Sequence, residues 1–206
     1  MNLQSGLFER SHSWQGDVPE PESDVFQRGK KKALDKLLPY TRSQSNEAAC
    51  VVIKADGKQF FATGTSDAVE ISFPAHLVVA HLHTHPQDHA HSAQDWSDFL
   101  WFPLVEQSHV VAPTQTFSLH KPHGWRAEDH GLEAYFSSDI EPEPERAKER
   151  NRNRIEADYN EFVEQEFSRI GWSPEAEKKV REIVCHLMAD KYGVKFRIGK
   201  QKQETS

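Results

Sequence analysis

One short stretch constrains the fold of this chain more than any other: residues 78–85, in which three histidines occupy alternate positions. Apolar and polar residues alternate there, which predicts a β-strand. Side chains on a strand repeat with a period of two, so His81, His83 and His85 should point to the same face. Pro86 has no backbone N–H to donate to a neighbouring strand, and it ends the element. The sequence therefore predicts a strand that carries imidazoles to its end.

A helix start follows this strand after a short loop. Ser92 is a typical N-cap residue, and Asp95 falls in the first helical turn. His83, His85 and Asp95 would supply two nitrogens and one oxygen, the usual ligand set of a catalytic zinc site with an open fourth position. Capping alone requires the same residue types as those at Ser92 and Asp95. A purely structural helix cap is therefore the simpler alternative for these two residues.

Catalysis at such a site requires groups besides the ligands. A bound zinc ion lowers the pKa of its water, so that hydroxide becomes available near neutral pH. A nearby carboxylate must then accept the proton and return it to the leaving amine. A hydroxyl donor can stabilise the developing oxyanion.

Composition limits the functions open to the chain. Its 206 residues, 36% of them hydrophobic, predict one ordinary domain with polar arms. The formal net charge of -7 argues against a nucleic-acid partner. No apolar run reaches the roughly 18 residues of a transmembrane helix, and residues 1–16 lack the pattern of a secretory signal. Cys50 and Cys185 provide neither a disulfide framework nor a zinc-binding spacing. We therefore expect a cytoplasmic protein without a membrane partner.

Periodicity predicts both helices and strands in the first two thirds of the chain. A helix should run from Asp24 to about Leu38 and end at Pro39. The Asp56–Gly57 pair between two apolar runs predicts a tight hairpin. Strands are predicted at 48–54, 58–63, 68–73, 77–82, 108–112 and 116–119, and a helix should follow Asp95.

The end of the chain predicts two amphipathic helices. Gly171 should end the first, Ser173 should cap the second, and Gly193 should end the second. These helices could dock a partner protein or a second copy of the chain. The predicted organisation is a flexible arm at 1–22, a domain at 23–140, a C-terminal helical extension at 141–198 and a polar tail at 199–206.

The sequence His83-Thr84-His85-Pro86, followed by Ser92 and Asp95, resembles the signature of the JAMM/MPN zinc metallopeptidases. The resemblance covers roughly residues 43–122. It implies an α/β (α+β) fold, with a mixed β-sheet flanked by helices as in cytidine deaminases. It also implies Zn2+ held by His83, His85 and Asp95, with Ser92 supporting the tetrahedral intermediate. Members cleave peptide or isopeptide bonds, often after the C-terminus of ubiquitin or a ubiquitin-like protein. Prokaryotic members process ubiquitin-like or sulfur-carrier proteins.

Two points of this resemblance leave alternatives open. The family has seven residues between the second histidine and the serine, whereas six separate His85 from Ser92 here. Asp98 is the spare carboxylate if the register is shifted. The family's general base is an upstream glutamate at the head of a strand. Glu47 fits this position better than Glu70, which is expected on a short strand that leads directly to the motif.

Other functions compete with a deubiquitinase-like peptidase. Some MPN proteins lack catalysis and serve as interaction modules, and the shortened loop keeps that reading open. A toxin domain of a secreted effector is a third possibility. The chain has no His-Glu-x-x-His helix and no Cys-x-x-Cys pair, which excludes a thermolysin-type protease and a nucleobase deaminase. His81 is expected to be a supporting or core residue, and His89 and His91 are expected to face solvent or substrate.

Overall fold

A computed structural model describes residues 24–42, 49–54, 56–64, 78–102, 104–133 and 144–201. The elements in chain order are α1 (Asp24–Arg42), β1 (Ala49–Lys54), β2 (Gln59–Thr63), β3 (Val78–Thr84), α2 (Ala93–Trp101), β4 (Gln107–Val111), β5 (Gln115–His120), a 3-10 turn (Ala127–His130), α3 (Pro144–Ile170), α4 (Pro174–Lys191) and β6 (Lys195–Lys200). The predicted strand at 68–73 lies outside the described residues. None of the helices within these ranges is long and apolar enough to cross a membrane.

The six described strands form one mixed sheet in the order β2-β1-β3-β4-β5-β6. β1 pairs antiparallel with both β2 and β3, whereas β3 pairs parallel with β4. Parallel neighbours require a crossover connection, and α2 lies in the segment that joins β3 to β4. The mixed helix-and-strand class predicted from the sequence is confirmed. β3 has hydrogen-bonded neighbours on both sides, which fixes its register.

Contacts divide the chain into two compact units. Unit one consists of Met1–Asp88, Leu104–Thr116 and Ile198–Ser206, and unit two of His89–Pro103 and Phe117–Arg197. Unit one therefore holds α1 and β1 to β4, and unit two holds α2 to α4.

Unit one has a core formed by one helix on the strands. Phe26, Ala33 and Leu37 of α1 are fully buried in a cluster with strand residues such as Val51 and Leu82. Full burial of a large apolar side chain contributes about 1.5–3 kcal/mol. The predicted hairpin is confirmed: Gly57 has a φ of 77° and its amide donates to Lys54 O at 2.9 Å.

The predicted end of the first helix is wrong. α1 continues through Pro39 to Arg42. A proline inside a helix lacks the amide that donates to the residue four positions earlier, but it does not oblige the chain to leave the helix so close to its end. The Thr41 hydroxyl donates to Leu38 O at 2.8 Å, which gives that carbonyl a partner in the last turn. Gly29, an unfavourable residue within a helix, lies where a Cβ would meet Gly57 O at 3.0 Å.

Unit two is built on helices. α3 packs against both α2 and α4. The fully buried residues of this unit include Trp96 on α2, Ile155 on α3, and Val184 and Met188 on α4. The Ser173 hydroxyl accepts from Ala176 N at 3.0 Å and caps α4, as predicted. β6 is not predicted from the sequence, because Lys195–Lys200 spans the boundary between the predicted helical extension and the predicted polar tail.

Candidate metal centre

The strand ladder places the two histidines of the predicted site. His83 lies opposite Cys50 of β1 and opposite Val110 of β4. One residue beyond the strand, His85 N donates to Val111 O at 3.0 Å. The backbone of both residues is therefore held by neighbouring strands. The expectation that these side chains share one face is confirmed by their ring contacts.

The geometry of the two rings suits a common ion. His83 Nε2 and His85 Nε2 lie 3.1 Å apart, and the rings are inclined by 58° with centroids 4.9 Å apart. Both side chains are buried, with 8% and 5% of their surface exposed. Two nitrogens that bind one tetrahedral zinc at about 2.0–2.1 Å lie roughly 3.3 Å apart. The observed separation is close to that value, and it also permits a hydrogen bond between two neutral rings.

Ser92 and Asp95 form a complete capping box at the start of α2. Asp95 N donates to Ser92 Oγ at 3.2 Å, while Ser92 N and Ser92 Oγ donate to Asp95 Oδ2 at 2.7 and 2.8 Å. The predicted helix start is thus confirmed. Because a carboxylate has two oxygens, a cap made through Oδ2 is compatible with metal binding through the same side chain. The serine hydroxyl fixes the orientation of this carboxylate.

The structure brings the three predicted ligands together. One ligand atom from each of His83, His85 and Asp95 lies within 4.8 Å of the other two, and the aspartate is half-buried. Two imidazole nitrogens and one carboxylate oxygen fit zinc and leave a fourth position for water or substrate. This group can hold a metal ion. No other cluster of this kind occurs among the parts of the chain that the structure describes.

Other candidate residues take different places. His81 stacks on His83 with ring centroids 5.0 Å apart but does not belong to the ligand group, as expected of a residue that is not a ligand. The prediction that His91 faces solvent or substrate is wrong, because its side chain is fully buried. His89 is half-buried. Asp98 also lies outside the group, and burial raises the pKa of its carboxyl above the ordinary value.

The structure does not decide between the two candidate general bases. Glu47 and Glu70 both lie outside the described residues, so the choice between them stays a prediction. What the structure describes is the position of β1, which begins two residues after Glu47. Ala49 N donates to the Thr84 hydroxyl at 3.3 Å, so the head of β1 lies at the histidine end of β3.

Two residues that contact the ends of α2, Lys121 and Tyr159, were not predicted from the sequence. Lys121 is buried, and its Nζ donates to Phe99 O and Phe102 O at 2.7 and 2.6 Å, at the C-terminal end of the helix. Tyr159 donates to the backbone before the N-cap. A lysine after a strand and a tyrosine in an apolar stripe carry no local signal of these roles.

Comparisons with known proteins identify no relative. No protein-family model matches the chain, and neither the curated proteins nor the solved structures yield a match.

Proposed function

We propose that this protein is a zinc-dependent metallopeptidase of the JAMM type that hydrolyses a peptide or isopeptide bond. The observation that carries the proposal is the convergence of His83, His85 and Asp95 within 4.8 Å. The order of the elements supports it as well, because the histidines end a central strand and the aspartate opens the next helix. Helix capping alone would account for Ser92 and Asp95 but not for two buried imidazole nitrogens 3.1 Å apart.

Each side chain has a role in the proposed reaction. His83, His85 and Asp95 would hold the ion, which would act as a Lewis acid and lower the pKa of a bound water. Ser92 holds the Asp95 carboxylate through Oδ2. A contact from the same hydroxyl to a substrate oxyanion, as the family resemblance implies, requires this hydrogen bond to rearrange.

Glu47 remains our choice for the general base. It precedes by two residues the part of β1 that Thr84 holds, and Thr84 stands between the two histidines in sequence. A base must come within hydrogen-bond reach of the proton it abstracts, which favours a residue adjoining this end of the sheet. Glu70 adjoins no described residue, so the structure offers no such argument for it.

A protein substrate with an extended C-terminal segment suits the proposed site. An extended segment can add to an exposed sheet edge through main-chain hydrogen bonds. The edge strands of the described sheet are β2 and β6. We propose a ubiquitin-like protein or its conjugate as the substrate class, on the resemblance of the motif alone.

Zinc content tests the site, and cleavage tests the activity. Purified wild-type protein should contain about one zinc per chain by elemental analysis, and His83→Ala should contain almost none. His123→Ala, which changes an exposed histidine, is the matched control and should keep the metal. Wild-type protein that takes up no zinc, or an Asp95→Ala protein that keeps both metal and activity, would refute the assignment.

Activity is then tested on a panel of ubiquitin-like fusions and isopeptide conjugates. Wild-type protein should cleave at least one, and Glu47→Gln should bind zinc normally but cleave none. If Glu47→Gln is fully active and Glu70→Gln is inactive, the general base is Glu70 and not Glu47. Stoichiometric zinc without any cleavage would favour an MPN-type interaction module over an enzyme.

A further inference from the structure

The backbone carbonyl of His91 receives donors from two different helices. Tyr159 of α3 donates its hydroxyl to His91 O at 3.1 Å. The Cys185 thiol of α4 donates to the same oxygen at 3.6 Å. Tyr159 is 5% exposed and Cys185 fully buried, so water does not compete for either contact. Two buried donors on one carbonyl fix the chain at the residue that immediately precedes the N-cap Ser92.

The side chain of His91 is enclosed as well. It is fully buried, and the edge of its ring meets Phe196 of β6 with centroids 6.5 Å apart at 77°. Phe196 in turn meets His186 of α4 with centroids 4.9 Å apart. The residue is therefore held through its backbone and its ring by elements from the end of the chain.

Both donors keep their protons over the physiological pH range. Burial raises the pKa of the Cys185 thiol to about 12. Burial likewise raises the pKa of Tyr159 well above that of an exposed phenol. The hydrogen bonds to His91 O therefore do not depend on pH near neutrality. A reactive thiol is also excluded, since the thiolate is the nucleophilic form.

We propose that Tyr159 is a positioning residue for the metal site, and that Cys185 supports it as a second, weaker donor to His91 O. Tyr159 fixes the position of His91, the residue before the N-cap, and thereby the position at which α2 begins. The capping box then fixes the orientation of the Asp95 carboxylate, which the proposed site requires. This inference rests on the proposed metal site and deepens it. The C-terminal helices α3 and α4 thereby become part of that site, in contrast to the predicted extension that could serve a partner.

The test compares two tyrosines that undergo the same chemical change. Tyr159→Phe removes the hydroxyl that holds His91. Tyr192→Phe removes a buried hydroxyl of the same unit that donates to Asp158 Oδ2 of α3 at 2.6 Å. Each variant loses a buried tyrosine hydroxyl and its hydrogen bonding, so a merely structural role predicts no weaker metal binding for Tyr159→Phe than for Tyr192→Phe.

The first measurement is a titration with Co2+ alone, followed by visible absorption. Wild-type protein and Tyr192→Phe should bind with the same affinity and the same spectrum. Tyr159→Phe should bind about 10- to 100-fold more weakly, as is usual when a group that orients a ligand is removed, and its absorption band should shift. Cys185→Ala should show a smaller loss, because a thiol is a weak donor.

The second measurement does not require metal. Hydrogen exchange of the Trp96 amide, which donates to Ser92 O at 3.1 Å, reports how firmly α2 begins. It should be faster in Tyr159→Phe than in Tyr192→Phe. Unchanged Co2+ binding and unchanged exchange in Tyr159→Phe would overturn the inference. Wild-type protein that binds no Co2+ or zinc would overturn the proposed function instead, while faster exchange in Tyr159→Phe would still establish that Tyr159 fixes α2.

Discussion

The end of β3 and the start of α2 hold their candidate ligands in different ways. His83 is fixed by strand pairing with β1 and β4, and His85, one residue beyond the strand, is held by a backbone hydrogen bond to Val111 O. Asp95 is fixed by a local capping box, and the residue before that box is held by two distant helices. In a paired strand, the direction of each side chain follows from its position in the alternating pattern. The position of the helix start, in contrast, depends on contacts from α3 and α4.

This difference teaches which ligands withstand perturbation. A ladder distributes its hydrogen bonds over many residues, so no single side chain decides where the histidines point. The helix start depends on a few side-chain contacts, each of which a substitution can remove. We therefore expect the histidine pair to be the more robust half of the site.

Removal of a ligand from each half gives the largest effects. His85→Ala should weaken zinc binding by more than about 100-fold, since even changes behind a ligand cost 10- to 100-fold. Asp95→Asn should weaken it less, because both strand nitrogens remain. Competition with a chromogenic chelator measures both affinities. Weaker binding by Asp95→Asn than by His85→Ala would show that the helix start dominates.

Loss of the cation at the far end of α2 should destabilise the fold without removing a ligand. In Lys121→Met, Phe99 O and Phe102 O lose the ammonium donor, and a buried polar group left without its partner costs about 1–3 kcal/mol. Urea denaturation measures this loss. Lys195→Met, at an exposed position, is the control and should change the free energy of unfolding by less than about 0.5 kcal/mol. Equal effects would mean that the Lys121 contacts contribute nothing.

Matched serine caps separate capping from metal binding. Ser92→Ala and Ser173→Ala each remove a hydroxyl that accepts a backbone amide, and each should lower the free energy of unfolding by about 1 kcal/mol. Only Ser92→Ala should also weaken zinc binding, because only Ser92 donates to the Asp95 carboxylate. Thermal unfolding and zinc titration are the two measurements. Zinc affinity that is unchanged in Ser92→Ala would limit this serine to the cap.

The smallest expected effect is a pH-dependent gain in stability for Asp98→Asn. Burial, the largest cause, raises the pKa of the folded carboxyl above 3.8. Well below that value, both the folded and the unfolded state hold the proton, and the variant should match wild type. As the pH rises through the folded pKa, the folded state must ionise a partly buried group, so wild type loses stability relative to the variant.

This gain should stay below about 1 kcal/mol, the usual size for a single change that creates no cavity. Urea denaturation at several pH values measures it. Asp129→Asn, at an exposed position, is the control. A gain that is largest in acid would contradict the sign.

Three local features of the fold and of the candidate site could be predicted from short stretches of the sequence. The Asp-Gly turn, the alternation in β3 and the Ser-x-x-Asp cap each depend on neighbours in sequence, so a short window contains the information. The two elements that were predicted wrongly or missed, the end of α1 and β6, also have physical explanations. Pro39 lies inside α1 because tertiary packing of an apolar stripe can outweigh one lost hydrogen bond. β6 escaped prediction because a short, basic and mostly exposed strand lacks apolar alternation.

The sequence by itself determined the candidate ligand types, their order and the two elements that carry them. Periodicity of two put His83 and His85 on one face, and the capping rule put Asp95 in the first turn of a helix. Only the tertiary structure decided that His91 is buried and that Tyr159 and Cys185 hold its carbonyl. Those contacts join residues 68 and 94 positions apart. Contacts at such separations depend on how whole helices pack, which no local pattern of residues specifies.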